Sequence, residues 1–210
     1  MAIQNTLPDP NNLVNTAGLD SGTAGPGFAS VKLSSDQPIM RDRTRSGRLV
    51  SRAVSYHQWN IDISYNPMTK AQFNPIYGFL LEKQGSLKPF FVELPQYRGQ
   101  AVSSKIASSG VAGSNTLTVD NITDIETGMM FNINDSADST HTKAYIITRA
   151  SSTPDQITFT PGLQKAVTSG ATVNFTNPKI RVIQSGDVQE YSLNTNNLYS
   201  FSLKLEEACS

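Results

Sequence analysis

A chain of 210 residues with 17 basic and 17 acidic side chains carries no net charge, which excludes a global field suited to nucleic acid or a membrane surface. Its one cysteine, Cys209, excludes an intramolecular disulfide and a cysteine metal cluster. Only 16% of the residues are charged, and Ser, Thr, Asn and Gln fill the difference, a composition that suits strands and turns better than Glu- and Lys-rich surface helices.

The charge is unevenly spread, with about +4 on residues 1–105 and about −4 on residues 106–210. Such a polarity fits head-to-tail or ring contacts between copies, though chance accounts for it equally well on a chain with few charges. The first residues have no basic stretch followed by an apolar one, so no secretory leader is expected. No apolar run approaches the ~20 residues that cross a bilayer. The expectation is a protein made and kept in a cytoplasm, with no membrane partner.

Residues 1–27 are rich in Asn, Gly, Pro, Thr and Ser, with Leu7, Leu13, Val14 and Leu19 as the sizeable apolar side chains. A segment of that kind cannot bury enough surface to offset its own ordering entropy, and it reads as a flexible arm ordered, if at all, by a neighbour. Phe28, Val31 and Leu33 then open a strand, and Gln37-Pro38 marks a bend. Residues 39–65 read as one long hairpin turning near Ser46-Gly47. Its second limb places Trp59, Ile61, Ile63 and Tyr65 on one face at period two, the signature of a half-buried strand.

Residues 69–84 predict the one helix, with Thr69 as N-cap and a stripe of Phe73, Ile76, Tyr77 and Leu80. Pro75 and Gly78 predict a kink or a late start, and Gly85 a stop. A short proline-bounded strand follows at residues 89–95. After a Ser/Gly-rich junction at residues 103–114, about five short strands fall between residues 116 and 175, the content of a small barrel. Strands at residues 179–183, 189–193 and 199–205 close the chain. The last presents Tyr199, Phe201, Leu203 and Leu205 on one face and is expected to return to the first sheet. The expected division is an arm at 1–27, a sheet domain built from 28–105 and 177–210, and an inserted β-domain at 106–176.

The succession of Trp59 with its alternating strand, Pro67, the helix with Phe79-Leu80-Leu81, Gly85, Phe90-Phe91-Val92, Leu94-Pro95, Gly99 and the closing Phe201 to Ala208 resembles phage tail-tip proteins of the distal-tail and tube-initiator group. The resemblance implies a mainly β fold: a tail-tube-like β-sandwich with one flanking helix, plus a small inserted β-barrel-like domain that faces outwards. It further implies a structural virion protein of the tail, assembled in the host cytoplasm. Copies would form a hexameric ring at the distal tube or baseplate hub, joined to the tail tube protein and to hub or fibre proteins. DNA would be only passing cargo in its lumen. A tail-tube or tail-completion subunit, or a carbohydrate-binding adhesion module, are the alternatives.

No catalytic or cofactor motif competes with that reading, so no enzyme and no cofactor is expected. His57 and His141 are far apart in sequence and read as structural. Asn134, Asp135 and Asp138 lack the glycine and closing glutamate of a calcium loop and read as a solvated turn. Glu206 and Glu207 are adjacent on a strand and face opposite ways. The basic cluster carries more weight: Arg41, Arg43 and Arg45 on one face of an extended segment, with Arg48 and Arg52 past the turn. An intersubunit ion-pair belt is the favoured reading, against phosphate contact, which lacks aromatic residues to stack bases, and plain solvent exposure.

Overall fold

The computed structural model describes residues 5–8, 27–54, 56–152 and 155–208. Its elements in chain order begin with β1 (Phe28–Asp36), β2 (Ile39–Arg43), β3 (Leu49–Ala53), β4 (Gln58–Tyr65), α1 (Lys70–Lys83) and β5 (Phe90–Glu93). Then come β6 (Lys105–Ile106), β7 (Thr116–Thr118), β8 (Met130–Asn134), β9 (Ala144–Ser152), β10 (Asp155–Thr160) and β11 (Thr172–Asn174). Last are β12 (Lys179–Gln184), β13 (Ser192–Leu193), β14 (Tyr199–Ser200) and β15 (Ser202–Glu207). The fold is mainly β with curled sheets and, among the described residues, one α-helix, as the residue pattern predicts. The described residues divide into two compact units: those up to Pro89 together with Val182–Glu207, and those of Phe90–Arg181 together with Ala208.

In the first unit β4 is central, antiparallel to β1 on one side and to β15 on the other, and β12 follows β15. Ile63 lies opposite Val31 and Leu203, and Ile61 opposite Leu33 and Leu205. The period-two face is the buried one: Trp59, Ile61, Ile63 and Tyr65 are all buried, as are Leu203 and Leu205. Alternation thus converts directly into a half-buried sheet. Leu7, an expected anchor for a neighbour, is buried within its own chain; the other anchors of the arm, Leu13, Val14 and Leu19, fall outside the described residues.

Helix α1 begins at its predicted cap, where the Thr69 backbone N–H donates to the Gln72 side chain at 3.0 Å. It does not start late: it runs from Lys70 through Pro75 and Gly78 to Lys83. Tertiary packing outweighs the local cost of those two residues. Phe73, Ile76 and Leu80 are buried as the stripe predicts, but Phe79 takes the fourth buried apolar place and Tyr77 is half-buried. The helix ends where Gln84 and Gly85 both turn left-handed. Phe73 stacks on Tyr199 with centroids 4.5 Å apart, and Tyr65 stacks on Phe201 at 4.3 Å. Stacked aromatics thereby fasten α1 to the chain leading into β15. The strand expected at residues 189–193 shrinks to β13, two exposed residues paired with the half-buried β14.

The second unit holds a six-stranded sheet in the order β6-β11-β8-β9-β10-β7. Its two ends meet. Ala107 bridges Val119, the Ser108 N–H donates to the Thr118 carbonyl and the Asp120 N–H to the Ile106 carbonyl, both at 2.9 Å, so the sheet closes into a barrel. Closure removes the free edges that an open six-stranded sheet would present. The interior is packed with Phe131, Tyr145, Phe159 and Phe175, whose rings lie 5.3–5.6 Å apart, together with Leu117, Ile133, Ile157 and Val173.

Candidate assembly interface

Strands β2 and β3 form a two-stranded sheet of their own, separate from the sheet of β1 and β4. The single long limb expected at residues 48–65 is therefore broken: β3 stops at Ala53 and β4 starts at Gln58. Thr44 closes the turn. Its N–H donates to the Arg48 carbonyl at 3.0 Å, its hydroxyl accepts from the Arg48 N–H at 3.1 Å, and its carbonyl accepts from the Gly47 N–H at 2.8 Å. Gly47 sits at φ +82°, a left-handed position that suits glycine in a three-residue hairpin loop.

Every residue from Ile39 to Arg52 is exposed, so both faces of this ribbon meet solvent. The pairing Arg43↔Leu49 and Arg41↔Ser51 places those two arginines on one face with Ile39. The pairing Met40↔Arg52 and Asp42↔Val50 puts Arg52 on the other. Arg45 and Arg48 lie in the turn. The structure thus brings Arg41 and Arg43 together but takes Arg45 out of the extended row. Among the described residues none of the five arginines forms an ion pair.

Hairpin length, five arginines and exposed strand edges single out this segment in the sequence, but not the apolar side chains carried with them. Ile39, Met40, Leu49 and Val50 are 47%, 67%, 55% and 50% exposed, with Val54 and Tyr56 exposed just beyond. Exposed apolar residues are thus concentrated on a thin ribbon. The signal was present in the sequence: neither limb of the ribbon alternates apolar with polar residues, so neither has a face that belongs to a core.

The two histidines and the carboxylates singled out in the sequence make contacts within the fold. The His57 ring lies edge-on to Trp59 at 4.5 Å, with its Nε2 3.0 Å from the Ser35 hydroxyl. Asp135 is buried, not solvated. Its carboxylate accepts from the Thr168 hydroxyl at 2.6 Å, the Thr168 N–H at 2.7 Å and the Ala137 N–H at 2.9 Å. Those bonds, the Thr168 hydroxyl first, hold its carboxyl below the usual range. The Thr140 hydroxyl and N–H lower Asp138 likewise. Burial pushes the His141 imidazole below its ordinary value, and its Nε2 lies 2.8 Å from the Tyr145 hydroxyl. Glu207 is buried, with Oε2 accepting from the Trp59 N–H at 3.1 Å, while Glu206 is half-buried.

Two comparisons bear on this arrangement. Residues 7–97 match the family described as distal tail protein pb9, A domain, N-terminal. Over 220 aligned positions the chain is 30% identical to the distal tail protein pb9 of Escherichia phage T5, covering 96% of this chain and 98% of that protein.

Proposed function

We propose, from the premise that this chain belongs to the distal tail protein pb9 family, that it closes into a homo-oligomeric ring through its β2–β3 ribbon. As a distal tail protein it is a structural component of a phage tail and a part of the virion. The finer reading is a ring, hexameric by resemblance, at the distal tube or hub, seated between the tail tube and hub or fibre proteins. No described helix is long and apolar enough to cross a membrane.

The observation that carries the proposal is a ribbon exposed on both faces, with four apolar side chains at its strands and five arginines without an ion pair among the described residues. Covering the exposed parts of Ile39, Met40, Leu49 and Val50 is worth about 1 kcal/mol each. Arginine pairs at an interface rim contribute only ~0–1 kcal/mol each and mainly set orientation and encounter rate. Apolar burial therefore holds the ring, and the arginines choose its register.

Two double variants test this by mass measurement of purified particles at physiological salt. Replacing Met40 and Val50 with Ser should leave a folded monomer. Replacing Arg41 and Arg43 with Glu should slow or misdirect closure in a salt-dependent way. Normal rings from both variants, or a wild-type chain that stays monomeric at every concentration, would remove the ribbon from the interface.

A further inference from the structure

A ring of more than two copies cannot close through the ribbon alone. A patch that meets itself closes a two-fold dimer, whereas a larger ring joins two different patches of each subunit head to tail. The ring reading therefore requires a second surface that receives the ribbon. Within the first unit, a cavity of about 340 Å3 opens between α1 and the chain that leaves β12 and enters β15. Two glutamines define its chemistry. Gln184, the last residue of β12, is only 2% exposed and donates Nε2 to the Leu80 carbonyl at 3.4 Å. Gln189 donates Nε2 to the same carbonyl at 3.1 Å. That carbonyl lies in the last turn of α1, where helical partners run out.

A carbonyl takes only donors, so both Oε1 atoms are the uncommitted ends, and they are acceptors. Gln189 Oε1 is buried without a hydrogen bond among the described residues, and Gln184 Oε1 has none there either. Acceptors left over in this way call for a donor from outside. The half-buried rings of Tyr77 and Phe201 and the 75%-exposed Val188 add apolar surface. Formal charges are mixed. Glu190 and Lys204 both line the cavity, and neither forms an ion pair among the described residues. Asp187, between two lining residues, accepts from the Ser86 hydroxyl at 2.7 Å, and Lys83 lies over the Phe79 ring at 4.8 Å. The cavity thus selects by hydrogen-bond acceptance and aromatic surface rather than by net charge. A flat cation that only donates suits it.

We infer, resting on the ring reading, that this cavity receives the ribbon of a neighbouring copy by the face that carries Arg41 and Arg43. Ile39 and Leu49 share that face, so donor-only guanidinium groups and exposed apolar side chains arrive together. The ribbon from Ile39 to Arg52 holds five arginines against one aspartate, Asp42. A guanidinium would donate to the two glutamine oxygens and to Glu190 and stack on Tyr77 or Phe201, while Val188 would cover the apolar side chains. Lys204 is the one lining group that opposes such a guest.

Ring closure of the full chain followed by light scattering, with particle mass measured at its end, tests this. Glu190→Arg, on an exposed side chain, should slow closure roughly tenfold at low salt and less at high salt. Arg43→Glu should slow it as well, and the double variant Arg43→Glu/Glu190→Arg should restore the wild-type rate, a rescue that a merely structural role for either side chain does not give. Lys204→Glu removes the opposing charge and should speed closure. Val188→Arg places a guanidinium over the cavity and should leave a folded monomer. Mixed with the Met40→Ser/Val50→Ser variant, it should yield a one-to-one dimer, because a single contact is intact in that mixture. Normal rings from Val188→Arg, no dimer in the mixture, or no rescue in the double variant would overturn the cavity as the receptor and leave the ribbon in the interface. A wild-type chain that stays monomeric would remove the ring reading and this inference with it.

Discussion

If the two compact units are independent folding domains, a small core deletion in one should leave the other's melting untouched. Ile157 in β10 is fully buried between Ala150 and Leu117 of the adjacent strands, inside the barrel core. Ile63 in β4 is equally buried, between Val31 and Leu203. Ile→Val at either removes one methyl group, at a cost of about 0.5–1.5 kcal/mol once transfer and cavity are combined. For units of about 100 residues, 1 kcal/mol lowers the midpoint by roughly 4–8 °C. The assay is already built into the chain, because its one tryptophan, Trp59, is buried in the first unit. Tryptophan fluorescence thus follows the first unit alone, while far-ultraviolet circular dichroism follows both. Ile157→Val should lower a dichroism transition by several degrees and leave the fluorescence midpoint in place. Ile63→Val should move the fluorescence midpoint by a similar amount. If Ile157→Val shifts the fluorescence midpoint as far as it shifts the dichroism, the chain unfolds as one cooperative body and the two-domain reading fails.

Asp135 ties the end of β8 to Thr168, and its lowered carboxyl value gives it a defined pH signature. Its folded value lies below the unfolded one near 3.9, so the stabilisation is complete above the unfolded value and is lost as pH falls through the folded value. Asp135→Asn should cost the barrel about 1–3 kcal/mol at neutral pH and flatten its acid-unfolding curve below pH 4; an unchanged curve would refute the assignment. Gly85 holds φ +64°, and a Cβ there would sit 3.1 Å from Asp187 Oδ1 and 3.2 Å from its Cα. Gly85→Ala should cost about 1–2 kcal/mol, read as an earlier tryptophan transition; an unmoved midpoint would show that the helix end relaxes freely.

Some of this protein was determined by short-range pattern alone. Alternation at Trp59 to Tyr65 and at Leu203 and Leu205 specifies which side chains face the core, because a strand's two faces are fixed by its own backbone. The stripe of Phe73, Ile76 and Leu80 and the Thr69 cap are local in the same sense. What tertiary structure decided is where local segments meet. Nothing near residue 107 announces that it will bridge residue 119 and close a barrel. Nor does the run through residues 48–65 announce that β3 ends at Ala53 and β4 begins at Gln58, in separate sheets, so that the ribbon carries its arginines and apolar side chains in solvent. Tyr77 yields its buried place to Phe79, and Asp135 leaves a polar turn for the interior, because distant partners such as Thr168 satisfy it there. Periodicity is a property of one segment, whereas closure, exposure and convergence are properties of pairings between segments, and those follow from burying the whole chain at once.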